Sequence, residues 1–262
     1  MRDEFLRRGW VRFRFDPALA AWLEHAAPAA LAAVDDPSNR RWLRCGGTWF
    51  AGVSVLPNDT GGAVAGSGPL CGAAVEFWAA MGLPADRWDR AQVSAVYPGY
   101  PRPHEGESRA AFRFRRDRDA AHLDGLLPIG RRRRRMLREP HAFILGLPLT
   151  EADPGASPLV VWEGSHRLMR AALAESLAGV EAARWPETDL TDAYHAARRN
   201  VFAACKRVPV HARPGEAYLV HRLALHGVAP WQPGAAAPVE GRVIAYFRPE
   251  LAGPITGWLD LP

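Results

Sequence analysis

His122-Leu123-Asp124 is the tripeptide of this chain whose residue types and spacing best suit chemistry. Residues i and i+2 of an extended segment project to one side, so an imidazole and a carboxylate can converge on one ion. Taken alone, such a tripeptide is more often a solvated loop pair, and a metal would need a third ligand from another strand. The stretch ARPGEAYLVHRLALHGVAPW offers His221 and His226. Their separation puts them on opposite faces of a straight strand, so the two do not both bind. Two histidines and one carboxylate, with positions left open, form the facial triad of non-haem Fe(II) oxygenases. Further on, GRVIAYF alternates so that Arg242, Ile244 and Tyr246 share a face, and Arg248 joins them if the strand continues. An arginine pointing into a barrel needs an anion, and a carboxylate taken in bidentate fashion is its best partner.

The elements that must position these groups are short. GWVRFRF alternates like a half-buried strand, and Asp16-Pro17 supplies an N-cap and first-turn proline for a helix over about Ala18 to Val34. A Gly-rich loop, Asn58 to Gly68, precedes a second helical stretch from Pro69 to about Met81. Beyond Ala91 come brief apolar runs between Pro and Gly: AQVSAVY, FRFRR, AHLDG, HAFILGLPL, SPLVVWEG, KRVPVHA, EAYLVH, ALHGVA and GRVIAYF. Such a series predicts a sandwich or barrel. One helical insertion interrupts it, with Ser165 as N-cap for Leu168 to Leu177 and a second helix from about Thr188 to Ala204, acidic Asp189 and Asp192 in its first turn. The expected fold is therefore mainly β with flanking helices, a double-stranded β-helix (jelly roll, cupin-like). It forms one domain over 1–262: strand and helices in 1–90, a β core from 91–164 and 205–250, and a helical insertion at 165–204.

In this order the motifs resemble the phytanoyl-CoA dioxygenase family of Fe(II)/2-oxoglutarate oxygenases. FLRRGWVRFRFDPALAAWL resembles that family's first strand and helix, HLDG its HxD motif, SPLVVWEGSHR the stretch ending in PGSHR, and ARPGEAYLVHRLALHG the strand pair carrying the distal histidine. The resemblance implies that His122, Asp124 and His226 hold iron, His226 being preferred to His221 because it precedes a glycine. It implies that Arg242 binds the C5 carboxylate of 2-oxoglutarate, with Arg248 the less favoured anchor, and that His141, with Phe143 on the same face, contacts the cosubstrate from the HAFILGLPL strand; the other reading of His141 is a satisfied strand-end histidine. It further implies hydroxylation of a small molecule with release of succinate and CO2; related halogenases lack the acidic ligand, which Asp124 supplies here. Glu163 stands where the family has proline, Val228 where many members have serine, and the interval from His226 to Arg242 is long.

Charge and composition limit the alternatives. The chain has 262 residues and a formal net charge of +5. Residues 113–138 hold ten arginines against three aspartates, a net +7, so the rest of the molecule is slightly acidic. Five of those arginines run consecutively from Arg131 to Arg135. As a charge run they read as a solvated loop; as an active-site rim they would steer an anionic substrate. A nucleic-acid surface over Arg113 to Arg138 is disfavoured because 131–135 carries no aromatic residue on which bases could stack. A catalytically silent jelly-roll scaffold is disfavoured by the presence of all four of His122, Asp124, His226 and Arg242. Three cysteines without a CxxC exclude a disulfide framework and suggest buried thiols in a reducing cytoplasm. The charged N-terminus lacks a signal-peptide core, and no apolar run reaches the ~18 residues of a membrane span.

Overall fold

The computed structural model of the chain describes residues 1–82 and 87–262. The elements are α1 (Arg2–Arg8), β1 (Trp10–Phe13), α2 (Pro17–Asp35), β2 (Leu43–Arg44), β3 (Trp49–Gly52), α3 (Ala73–Ala80), β4 (Gln92–Val96) and α4 (Arg109–Asp117). They continue with β5 (Leu126–Ile129), β6 (Arg134–Leu137), β7 (Phe143–Pro148), β8 (Leu159–Trp162), α5 (Ser165–Leu177) and α6 (Thr191–Ala204). The last are β9 (Arg207–Val210), β10 (Ala217–His221), β11 (His226–Val228), β12 (Arg242–Phe247) and α7 (Gly257–Asp260).

Two antiparallel sheets make the jelly roll. The larger runs β1-β10-β7-β12-β4-β3-β2 and the smaller β11-β8-β9, with β5 and β6 a separate hairpin; the sheets face each other without closing into a barrel. Strict alternation sets their faces. Ile144, Tyr218, Val220, Ile244 and Tyr246 of the larger sheet meet Leu159 and Val161 of the smaller. Phe143, Leu145, Leu147, Leu219, Val243 and Phe247 point the other way, under α2 and α3. Helices α5 and α6 cover the smaller sheet through Met169, Leu173, Tyr194 and Val201, packed with Val160 and Trp162. No helix among the described residues is long and apolar enough to cross a membrane.

Asp16 explains how the N-terminal helices reach the sheet. One carboxylate oxygen accepts from the Ala18 amide at the start of α2 (2.9 Å), and the other from Ala73 at the start of α3 (2.7 Å). One side chain thus satisfies amides at two helix N-termini.

Four local expectations differ from the structure. FRFRR is the end of helix α4 and not a strand: the Ser108 hydroxyl accepts from the Ala111 amide (3.1 Å) and starts a helix whose five-residue apolar alternation was too short to tell the periods apart. Ser165 does not cap α5. Gly164 holds the cap position in the left-handed region, and the Ser165 hydroxyl turns inward to accept from the Leu225 amide (2.8 Å). Helix α6 starts at Thr191, because Asp189 bonds the Thr191 amide from outside the helix (3.0 Å). Of the thiols, Cys45 alone is buried; Cys205 is half-buried and Cys71 exposed.

Candidate metal centre and its cavity

His122, Asp124 and His226 converge. Their ligating atoms all lie within 4.8 Å of one another, with His122 Nε2 3.2 Å from Asp124 Oδ1 and His226 Nε2 3.7 Å from Asp124 Oδ2. Backbone, not side-chain packing, sets this geometry. The His122 amide donates to the His226 carbonyl (2.8 Å) and the His226 amide to the His122 carbonyl (3.1 Å), so the first ligand segment joins the edge of the smaller sheet beside β11. Each ring is then fixed by its other nitrogen. Nδ1 of His122 donates to the Ala120 carbonyl (3.0 Å) and Nδ1 of His226 to the Ala224 carbonyl (2.9 Å). With Nδ1 so engaged, Nε2 of each ring faces the carboxylate and is the nitrogen a metal would take.

The glycines that follow Asp124 and His226 have a steric reason. A Cβ on Gly227 would stand 2.1 Å from the Asp119 carbonyl oxygen, and one on Gly125, whose φ is +86°, would stand 2.3 Å from the Glu139 carbonyl oxygen. Asp119 and Ala120 themselves adopt left-handed backbone (φ 53° and 52°), a conformation costing about 1 kcal/mol or more per non-glycine residue. Arg207 holds the segment there, forking onto buried Asp119 at 2.7 and 2.8 Å.

The electrostatics separate the three ligands. Burial opposes ionisation of Asp124, but the charges of Arg248 and His226 and the hydrogen bond from His122 override it, holding the carboxyl well below its usual range. Burial also opposes protonation of His122, yet its bond to Asp124 raises it above an ordinary histidine. For His226 burial prevails and lowers it to about 4. His226 is therefore a neutral, ligand-ready imidazole at pH 7.

The triad opens into a cavity of about 450 Å3, within the range of small-molecule sites. Arg248 lies in it, with Nη1 3.4 Å from Asp124 Oδ2 and Nη2 donating to Gln92 Oε1 (2.7 Å). Arg242 does not. It sits at the start of β12, buried, in a separate small cavity with Tyr218 and Ile244, and Leu159 lines both spaces. Its Nε and Nη2 have no hydrogen-bond partner among the described residues. His141 and Phe143 are not brought to the triad. They lie on the face of β7 opposite Ile144: Phe143 packs on Trp78 with ring centroids 3.7 Å apart, and His141 Nε2 stands 3.3 Å from Glu139. Phe143 therefore lines no part of the triad cavity. His221 likewise stays outside the triad, its Nδ1 accepting from the Leu223 amide (2.9 Å).

None of Arg131 to Arg135 lines the cavity. They form the β5–β6 hairpin, where Arg134 pairs with Asp189 (3.1 Å) and the Arg135 amide donates to Thr191 (2.8 Å), tying the hairpin to α6. The cationic lining comes instead from Arg115, Arg44 and Arg248. Arg44, with Trp42 and Trp49, belongs to the β2–β3 region, which extends the larger sheet past β4. The sequence carried one weak signal for it, the aromatic pair Trp49-Phe50 between glycines, as short edge strands often show.

A nitrogen-nitrogen-oxygen donor set with freed Nε2 atoms fits Fe(II), and an orphaned buried guanidinium fits the carboxylate of 2-oxoglutarate. No protein-family model matches the chain, and no curated protein matches it. Solved structures of similar shape include AviO1 from Streptomyces viridochromogenes Tue57 (17% identity, TM-score 0.46, covering 96% of this chain and 94% of that one). The epimerase SnoN in complex with Fe3+, alpha ketoglutarate and nogalamycin RO matches at 14% identity and TM-score 0.49, over 94% of this chain and 81% of that one. EctD from S. alaskensis with 2-oxoglutarate and 5-hydroxyectoine matches at 17% identity and TM-score 0.43, over 97% and 77%. These superpositions are too loose to transfer residues, so the functional reading rests on this chain's own geometry.

Proposed function

We propose that residues 1–262 act as one Fe(II)- and 2-oxoglutarate-dependent oxygenase of the phytanoyl-CoA dioxygenase type, hydroxylating a small molecule. The observation that carries this reading is the triad: two imidazoles locked by backbone carbonyls with Nε2 turned to one carboxylate, at the wall of a ligand-sized cavity. When bound, iron and 2-oxoglutarate supply O2-derived oxidation of a substrate C–H bond, with succinate and CO2 released. His122, Asp124 and His226 hold the ion, and Arg248 keeps Asp124 ionised and turned to it.

Arg242 is the proposed anchor for the C5 carboxylate, because its Nε and Nη2 are buried donors without acceptors. Leu159, which walls both spaces, then has to shift when the cosubstrate enters. A second reading, with Arg248 as the carboxylate's partner, is favoured by its place in the triad cavity.

Anaerobic addition of Fe(II) and then 2-oxoglutarate tests the proposal through the weak visible charge-transfer band of the chelate. Wild type develops the band, His122→Ala loses it, and Arg242→Ala needs far more 2-oxoglutarate to reach it. Absence of both the band and metal-dependent succinate formation in wild type refutes the oxygenase. A normal requirement in Arg242→Ala with a raised one in Arg248→Ala moves the anchor to Arg248.

A further inference from the structure

The cavity that holds the triad has a mouth lined by Trp42, Arg44, Trp49, Tyr100 and Arg115, and several side chains of the lining carry buried donors. Four buried polar atoms on cavity-lining side chains lack a partner: Trp42 Nε1, Tyr100 Oη, Arg115 Nε and Arg248 Nε. Every one can donate a hydrogen bond. Burial raises the Tyr100 hydroxyl above an ordinary phenol, so it keeps its proton. Among the described residues one buried acceptor nearby is left over, Glu107 Oε2, behind Arg115 and 3.3 Å from His104 Nδ1; the acceptors that line the cavity are committed. Gln92 Oε1 takes Arg248 Nη2, Ser94 Oγ takes Trp49 Nε1 (3.0 Å), and Asp124 faces the two histidines and Arg248. A buried donor without an acceptor costs about 1–3 kcal/mol, so several gathered in one cavity mark a place where a ligand supplies acceptors.

Charge points the same way. Arg115 is balanced by buried Glu107, but Arg44, on the rim, donates only to the carbonyls of Arg41 and Leu43 and meets no carboxylate among the described residues. The walls between these groups are apolar rings: Tyr100 meets Trp49 edge-on with ring centroids 6.1 Å apart, and Trp42 lines the same mouth.

We propose that this mouth binds an aromatic or similarly flat apolar organic acid, its carboxylate received by Arg115, Tyr100 and Trp42 and its charge balanced by Arg44. Only the word substrate rests on the oxygenase reading; the ligand class stands on the cavity itself. The five-arginine hairpin takes no part in it.

The test is calorimetric titration of the metal-free protein with 2-naphthoate and with its neutral counterpart 2-naphthamide, each with and without excess 2-oxoglutarate. The expected result is naphthoate binding at least about 10-fold tighter than the amide, in the presence of 2-oxoglutarate as well. Arg44→Gln and Tyr100→Phe, neither of which strips a buried partner from another side chain, each cut that preference at least about threefold. Arg115→Gln, with its fold checked by near-ultraviolet circular dichroism, removes it. Equal affinities, no uptake of either compound, a preference unchanged in both Arg44→Gln and Tyr100→Phe, or competition by 2-oxoglutarate overturns the proposal. Because the assay holds no iron, a chain that prefers naphthoate but never converts 2-oxoglutarate refutes the oxygenase alone. A chain that forms succinate without this preference refutes the ligand class alone.

Discussion

Two histidine pairs have nearly the same ring spacing and opposite chemistry. His122 and His226 lie 4.6 Å apart between centroids, and His166 and His221 lie 4.8 Å apart. The first pair shares a carboxylate, Asp124, and faces a cavity. The second faces cations: Arg170 Nη2 lies 3.1 Å from His221 Nε2, and buried Arg222 gathers carbonyls of Trp258, Gly257 and Ala142. Burial and these arginines push His166 down to about 4 and His221 well below its ordinary range, and burial with Arg170 brings even Arg222 down to about 9. Proximity of imidazoles therefore does not make a metal site. What decides is the sign of the third partner, a carboxylate for one pair and guanidinium groups for the other.

The sharpest way to break this comparison is to exchange metal retention between the pairs. Asp124→Ala or His226→Ala should abolish stoichiometric Fe(II) binding in anaerobic dialysis, and His166→Gln should leave it intact. Loss of metal in His166→Gln alone would end the distinction.

Acid provides the next largest effect. His166 titrates near 4 when folded and near 6.5 when unfolded, so the unfolded chain binds more protons between those values. The stability it contributes is complete above pH 6.5 and is lost as pH falls toward 4, by up to about 3 kcal/mol. Urea midpoints measured between pH 7 and 4 should fall steeply in wild type and more gently in His166→Gln. Parallel curves would remove His166 from the account.

Arg248→Met tests the carboxylate side of the comparison. Losing the cation beside Asp124 should lower metal affinity about 10- to 100-fold, as removal of partners behind a ligand generally does, and a full-affinity variant would show that the histidines suffice. The smallest effect belongs to Arg131→Gln, Arg132→Gln and Arg133→Gln together. These exposed residues line no part of the cavity, so stability should change by less than about 0.5 kcal/mol and the 2-oxoglutarate requirement not at all. A raised requirement would restore the hairpin as a rim of the site.

Much of this was legible in the sequence for identifiable reasons. Alternation in VIAYF and FILGLP set which side chains meet between the sheets, and HxD spacing placed two ligands on one side of the backbone. Asp16-Pro17 announced α2. What the sequence hid was relational. Phe143 shares residue type and spacing with an inward-facing position, yet register turns it toward Trp78. FRFRR needed its cap, Ser108, to be read as helix. The cationic wall joins Arg44, Arg115 and Arg248 from three distant segments, and no local pattern links them; of the arginine-rich window 113–138, Arg115 lines the cavity and the run Arg131 to Arg135 does not.

The paired backbone bonds between His122 and His226 carry a consequence for which ion the protein meets in practice. They hold the donors in place without any ion, so loading needs little reordering of the chain. A pocket so prepared, built of nitrogen and oxygen donors, follows the Irving–Williams order and takes Cu(II) or Zn(II) ahead of Fe(II). The identity of the occupant is then settled by the supply of ions around the chain. Protein prepared in air should carry adventitious metal, and the proposed oxygenase activity should emerge only after stripping and anaerobic reloading with Fe(II).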